Sequence, residues 1–256
     1  MKVYCCQLDI AWENKPANFT RIRALLEQNR PEPGSLIVLP EMFSTGFSMN
    51  VAAIAEQVSP GAEQFLRDLA VELDSFVIGG VVTRGADRRG LNQALVISQS
   101  GEELIRYTKI HPFTLGGELD NYSRGQTIES FDWNGIKVVP FICYDLRFPE
   151  LFRSAVRENA ELFVVIANWP NKREQHWTTL LQARAIENLA YVVGVNRAGS
   201  DPQLVYPGRS MIIDPHGAVL ADAGLPESVI SAEVTLQAVR SWRRDFPALK
   251  DIHWRD

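Results

Sequence analysis

Cysteine is scarce in this chain: Cys5, Cys6 and Cys143 are the three among 256 residues. An odd count with two adjacent members makes a poor disulfide framework and fits a reducing compartment. No Cys-x-x-Cys or His-Glu-x-x-His pattern occurs, and the four histidines (His111, His176, His216 and His253) lie far apart. A structural zinc site is therefore not expected. No run approaches the roughly 20 apolar residues of a membrane-spanning helix. The opening Met1-Lys2-Val3-Tyr4-Cys5-Cys6-Gln7-Leu8 reads as strand, without the apolar core and small-residue cleavage site of a signal peptide. A cytoplasmic location is the expectation. Charge of one sign is also lacking. With 26 basic and 31 acidic side chains the net charge is −5, which makes no electrostatic case for nucleic acid or an anionic membrane as partner. Linkers, low-complexity tracts and repeats are absent as well, so residues 1–256 are expected to form a single domain.

What is present is ordinary globular material, 46% hydrophobic and 22% charged. Strand-like runs are expected at 3–8, 35–39, 76–82, 92–98, 103–108, 137–142, 162–167, 191–196, 210–213, 219–223 and 229–233. Several are continuously apolar, as in strands covered on both faces. Helical spacing appears over 16–29, 61–73, 148–158, 174–189 and 236–246. Ser98-Gln99-Ser100-Gly101 and Asp214-Pro215-His216-Gly217 read as hairpin turns. Mixed parallel and antiparallel pairing in an α/β fold follows. How the sheets stack does not follow from periodicity.

Three segments place a reactive side chain where a strand-like run ends. Cys143 follows Val138-Val139-Pro140-Phe141-Ile142 and precedes the polar turn Tyr144-Asp145. There its pKa can be lowered and an oxyanion bound, or it is simply a small buried core residue. Glu41 follows Leu36-Ile37-Val38-Leu39-Pro40, and Lys109 follows Ile105-Arg106-Tyr107-Thr108. Each has a plain alternative: a strand meeting water, or a surface lysine. Jointly they make chemical sense, because active sites of α/β proteins gather at strand ends. A carboxylate can take the thiol proton, an ammonium can favour the thiolate and hold an oxyanion, and the N–H of Tyr144 can be a second oxyanion donor. The reaction would be acyl transfer from a C–N bond to sulfur, then thioester hydrolysis. A Cys–His thiol protease is the other chemical reading, and it needs His111 or His176 beside Cys143.

Glu41, Lys109 and Cys143, in that order, resemble the triad of the nitrilase superfamily of carbon–nitrogen hydrolases. The likeness extends over the chain, through Leu39-Pro40-Glu41, Tyr107-Thr108-Lys109, Cys143-Tyr144-Asp145-Leu146-Arg147-Phe148-Pro149-Glu150, Ala167-Asn168-Trp169-Pro170 and Ala183-Arg184-Ala185-Ile186-Glu187-Asn188. The resemblance implies a four-layer α-β-β-α sandwich, usually paired into a homodimer, with no metal or organic cofactor. It implies Cys143 as nucleophile, Glu41 as general base and Lys109 as transition-state stabiliser. Glu118, in Gly116-Gly117-Glu118, matches the family's second glutamate. The nucleophile segment and Ala-Asn-Trp-Pro are similar to the omega-amidase branch. That branch hydrolyses the terminal amide of 2-oxo dicarboxylic acid monoamides, a small-molecule substrate class. N-carbamoyl amino acid hydrolases and aliphatic amidases are the neighbouring alternatives, and a catalytically silent scaffold is a third. Arg147 could pair with a substrate carboxylate, or with Asp145 or Glu150. Phe43, Phe47, Phe113 and Trp169 are candidate pocket walls, and Asn168 a candidate positioning residue. Cys5 and Cys6 are expected to be packing residues.

Overall fold

The computed structural model describes residues 1–57 and 61–253. In chain order it runs β1 (Lys2–Gln7), α1 (Lys15–Gln28), β2 (Leu36–Val38), α2 (Val51–Ile54), α3 (Ala62–Glu72), β3 (Phe76–Arg84), β4 (Gly90–Ile97) and β5 (Glu103–Thr108). There follow α4 (Glu118–Asn121), β6 (Phe131–Trp133), β7 (Ile136–Ile142), α5 (Pro149–Arg157), β8 (Leu162–Ala167), α6 (Glu174–Asn188) and β9 (Tyr191–Asn196). The last elements are β10 (Ala198–Ser200), β11 (Val205–Pro207), β12 (Met211–Ile213), β13 (Val219–Asp222), β14 (Ser228–Glu233) and α7 (Leu236–Asp245). The strands and helices expected from periodicity all appear, with ends shifted by a residue or two. Those not foreseen (α2, α4, β6, β10 and β11) are three or four residues long, too short for a period to register.

Two six-stranded sheets result, ordered β14-β1-β2-β3-β4-β5 and β13-β12-β9-β8-β7-β6. Their centres are parallel, β1-β2-β3 and β7-β8-β9; hairpins form the β5, β6 and β13 edges, and β14 pairs antiparallel with β1 at the fourth. Strand alternation then sorts the first sheet between two cores. Val3, Cys5, Val38, Ile78, Val96 and Tyr107 join the second sheet in one core. Tyr4, Cys6, Ile37, Leu39, Val77 and Leu95 meet Ile22 and Leu26 of α1 and Phe65, Leu66 and Leu69 of α3 in the other. The second sheet's far face is covered by Phe152 and Ala155 of α5 and by Trp177, Leu181 and Ala185 of α6. Gly194 of β9 lets α6 come close, since a Cβ there would lie 2.4 Å from Leu181. The layers are therefore α-β-β-α, as expected. Cys5 and Cys6 are free and buried on opposite faces of β1.

Candidate active site

Four strand ends meet at one end of the sandwich. Glu41 lies just past β2 and Lys109 just past β5, both in the first sheet. Cys143 follows β7 and Asn168 follows β8, both in the second. The backbone is shaped for this. Gly80 of β3 runs under the Glu41 turn, where a Cβ would sit 2.6 Å from Glu41 Cα and 2.3 Å from Met42 N. Only glycine permits that approach. Gly125 N–H donates to Lys109 O at 2.8 Å, and a Cβ at Gly125 would lie 2.0 Å from Thr108 O. Cys143 has φ +48° and opens the 3-10 turn Cys143–Arg147. Such a φ is uncommon outside glycine and marks a sharp turn held by its surroundings.

The charged side chains form one buried cluster. Lys109 Nζ donates to Glu41 Oε1 at 3.0 Å and to Glu118 at 2.8 Å (Oε2) and 3.1 Å (Oε1). Asn92 Nδ2 donates to both carboxylates, at 2.7 Å to Glu41 and 2.9 Å to Glu118. The other oxygen of Glu41 accepts from the Asn168 backbone at 2.8 Å, while Asn168 Nδ2 donates to Glu41 O at 2.7 Å. Phe113 N–H holds Glu118 Oε2 at 2.6 Å. Glu41 and Glu118 are fully buried and Lys109 is 1% exposed. Burial alone would lower the lysine pKa, but the Glu118 and Glu41 carboxylates outweigh it and hold it well above its ordinary value.

The thiol behaves otherwise than expected. Burial first, and then Glu41, push the Cys143 pKa well above its ordinary value. Lys109 and the Asn168 backbone N–H pull the other way and do not prevail. Desolvation of the thiolate leads, and the Glu41 and Glu118 carboxylates add to it against the single ammonium. A lowered pKa is thus overturned: Cys143 rests as a thiol and must lose its proton during attack. Cys6, buried in the core, is pushed up to about 12 by the same desolvation.

Cys143 opens onto a cavity of about 200 Å³, small beside drug-sized sites. Phe47, Phe113, Tyr144, Arg147, Asn168 and Trp169 line it, with Arg173 and Tyr206. Phe43 does not. It is buried under α1 and α3, ring to ring with Phe19 and Phe65. A turn residue's pointing direction is set by the Gly79 and Gly80 backbone beneath it, which local sequence does not reveal. Arg147 pairs with neither Asp145 nor Glu150. Its guanidinium lies 4.7 Å above the Trp169 ring and 3.1 Å from His176 Nδ1. Among the described residues no carboxylate forms an ion pair with Arg147 or Arg173. Burial, then the neighbouring Arg173 charge, lowers the Arg147 pKa. His111 Nδ1 faces Asp145 at 3.1 Å, and neither His111 nor His176 hydrogen-bonds Cys143 among the described residues. The thiol-protease arrangement is therefore not the one formed.

Asn92, Asp145 and Arg173 were not foreseen. Asn92 had a signal: with Gln93 it is a polar pair in the otherwise apolar run of β4.

The carbon–nitrogen hydrolase family model matches residues 2–244. The chain is 38% identical to omega-amidase YafV of Yersinia enterocolitica, over 98% of this chain and 96% of that protein. It is 32% identical to the 2-oxoglutaramate amidase of Bacillus subtilis, again over 98% and 96%. A CN-hydrolase superfamily protein of Xanthomonas campestris, solved with an arsenic adduct in its active site, superposes with a TM-score of 0.92 at 33% identity. That match covers 100% of this chain and 98% of the other.

Proposed function

We propose, from the premise that the chain belongs to the carbon–nitrogen hydrolase family, that it is a cysteine-dependent omega-amidase. It hydrolyses the terminal amide of small 2-oxo dicarboxylic acid monoamides, such as 2-oxoglutaramate and 2-oxosuccinamate, to the dicarboxylate and ammonia. One observation carries the substrate class. The cavity that exposes Cys143 also presents Arg147, a cation with no carboxylate partner among the described residues, and Arg173 adds to the positive field. A cation left unpaired at a cavity wall is a ready seat for a substrate carboxylate. Phe47, Phe113 and Trp169 supply the apolar walls.

The chemistry follows from the cluster. Cys143 Sγ attacks the amide carbon as its proton passes to Glu41. The Lys109 ammonium and the Tyr144 backbone N–H stabilise the oxyanion. Collapse breaks the C–N bond, and ammonia leaves with the proton held by Glu41. Water, deprotonated by Glu41, then attacks the thioester, and the thiol is restored. Glu118 keeps Lys109 and, through Asn92, Glu41 in place. No cofactor enters. The whole chain acts as one hydrolase domain, working in the cytoplasm as a homodimer. Three free cysteines agree with a reducing compartment.

Steady-state ammonia release from 2-oxoglutaramate, N-carbamoyl amino acids and neutral aliphatic amides tests this reading. Cys143→Ala should abolish turnover and leave the fold intact. Arg147→Ala should raise KM for carboxylate-bearing amides and spare neutral ones. Equal loss on both would refute the carboxylate role, and turnover by Cys143→Ala would refute the mechanism.

A further inference from the structure

Asp145 is fully buried, two residues past the nucleophile, and the chemistry above leaves it unused. Its carboxylate gathers donors from two segments. Oδ2 accepts from Tyr107 Oη at 2.7 Å and from the Ile142 backbone at 3.1 Å. Oδ1 accepts from the His111 backbone at 2.9 Å and stands 3.1 Å from His111 Nδ1. Tyr107 and His111 bracket Lys109, two residues away on either side. Ile142 and Asp145 bracket Cys143. One carboxylate therefore ties both flanks of the lysine to both flanks of the thiol.

The tie matters because no backbone ladder can replace it. Lys109 directly follows β5, the edge strand of the first sheet, and Cys143 directly follows β7 in the second. Sheets packed face to face share side chains, not ladder bonds. Asn168 fixes Glu41 across the same gap through its own bonds. The His111 ring is held in turn, stacked 3.6 Å above Phe148 at an interplanar angle of 9°.

We propose that Asp145 is a positioning residue that sets the Cys143–Lys109 register across the two sheets, with Tyr107 and His111 as its anchors. The inference rests on Cys143 and Lys109 acting as proposed above. Asp145→Asn places an NH2 group against a backbone N–H whichever way the amide turns, because Ile142 N–H meets one oxygen and His111 N–H the other. Misplacements of about 1 Å can cost about 100-fold in rate. On that scale kcat should fall about 100-fold in Asp145→Asn and about tenfold in Tyr107→Phe, with KM within about twofold of the parent.

Ammonia release from 2-oxoglutaramate gives the kcat and KM split. Alkylation of Cys143 by iodoacetamide, read by peptide mass, gives a second rate that does not depend on which amide is hydrolysed. It should slow in both variants. Failure of the parent to turn over 2-oxoglutaramate would sink the substrate reading and leave the alkylation test standing. Unchanged kcat and alkylation in folded variants would overturn the register role. So would a rise in KM with kcat unchanged, since that places the effect in binding. If Asp145→Asn does not fold, Tyr107→Phe and His111→Ala decide, because each removes one donor and keeps the carboxylate.

Discussion

Replacing Lys109 with methionine should unfold this protein far more readily than loss of a single side chain suggests. The methionine stem fills much the same space, so the change is chiefly one of charge. Lys109 Nζ is the cation shared by Glu41 and Glu118, and all three are essentially excluded from water. Its removal leaves two carboxylates facing the same emptied position, with Asn92 as their common donor. Breaking a buried ion pair by deleting one partner costs about 3–5 kcal/mol, because the remaining charge is uncompensated. For a chain of this size that corresponds to a fall in Tm of roughly 6–20 °C. Urea melts read by tryptophan fluorescence measure it, since Trp133 and Trp177 are fully buried, at one fixed protein concentration. The sharper half of the prediction is non-additivity. Lys109→Met combined with Glu118→Gln removes the cation and one anion together, and should be more stable than the sum of the single changes by about 0.5–3 kcal/mol. A loss under about 1 kcal/mol for Lys109→Met, or strict additivity in the cycle, would refute the account of mutual compensation.

Other outcomes follow from the same geometry. Because the Cys143 pKa is raised above its ordinary 9.0, the folded protein holds that proton more tightly than the unfolded chain. The wild-type minus Cys143→Ser absorbance at 240 nm should therefore show no thiolate step below pH 9, and the thiol's contribution to stability should decline as pH rises beyond it; a step near neutrality would contradict this. Gly80→Ala should cut kcat sharply while KM changes little, since a Cβ at 2.6 Å from Glu41 Cα must displace the base. Wild-type turnover in that variant would show that the turn can give. Phe43→Ala should cost about 3–5 kcal/mol in urea melts and leave substrate KM unchanged, because the ring lies in the α1–α3 core; an altered KM would return it to the pocket wall.

Much of this was open to reading in the chain alone. Apolar runs and helical spacing located every long element, because periodicity is a local property. The ends of strand-like runs near residues 40, 108 and 142 marked where Glu41, Lys109 and Cys143 stand, and the motifs around them carried the family. What neighbours across the sheets do was not readable. Asn92 joins Glu41 and Glu118, and Asp145 joins Tyr107 and His111, through contacts between residues remote in sequence. Phe43 and Phe47 are four residues apart and look alike, yet one fills the core and the other walls the cavity. The sign of the Cys143 shift was hidden too, since it depends on burial and on a count of two carboxylates to one ammonium around the sulfur. Local order along the chain determined which groups stand at strand ends. Only the stacking of two sheets, a matter of non-local packing, decided which of them meet and what charge each one feels.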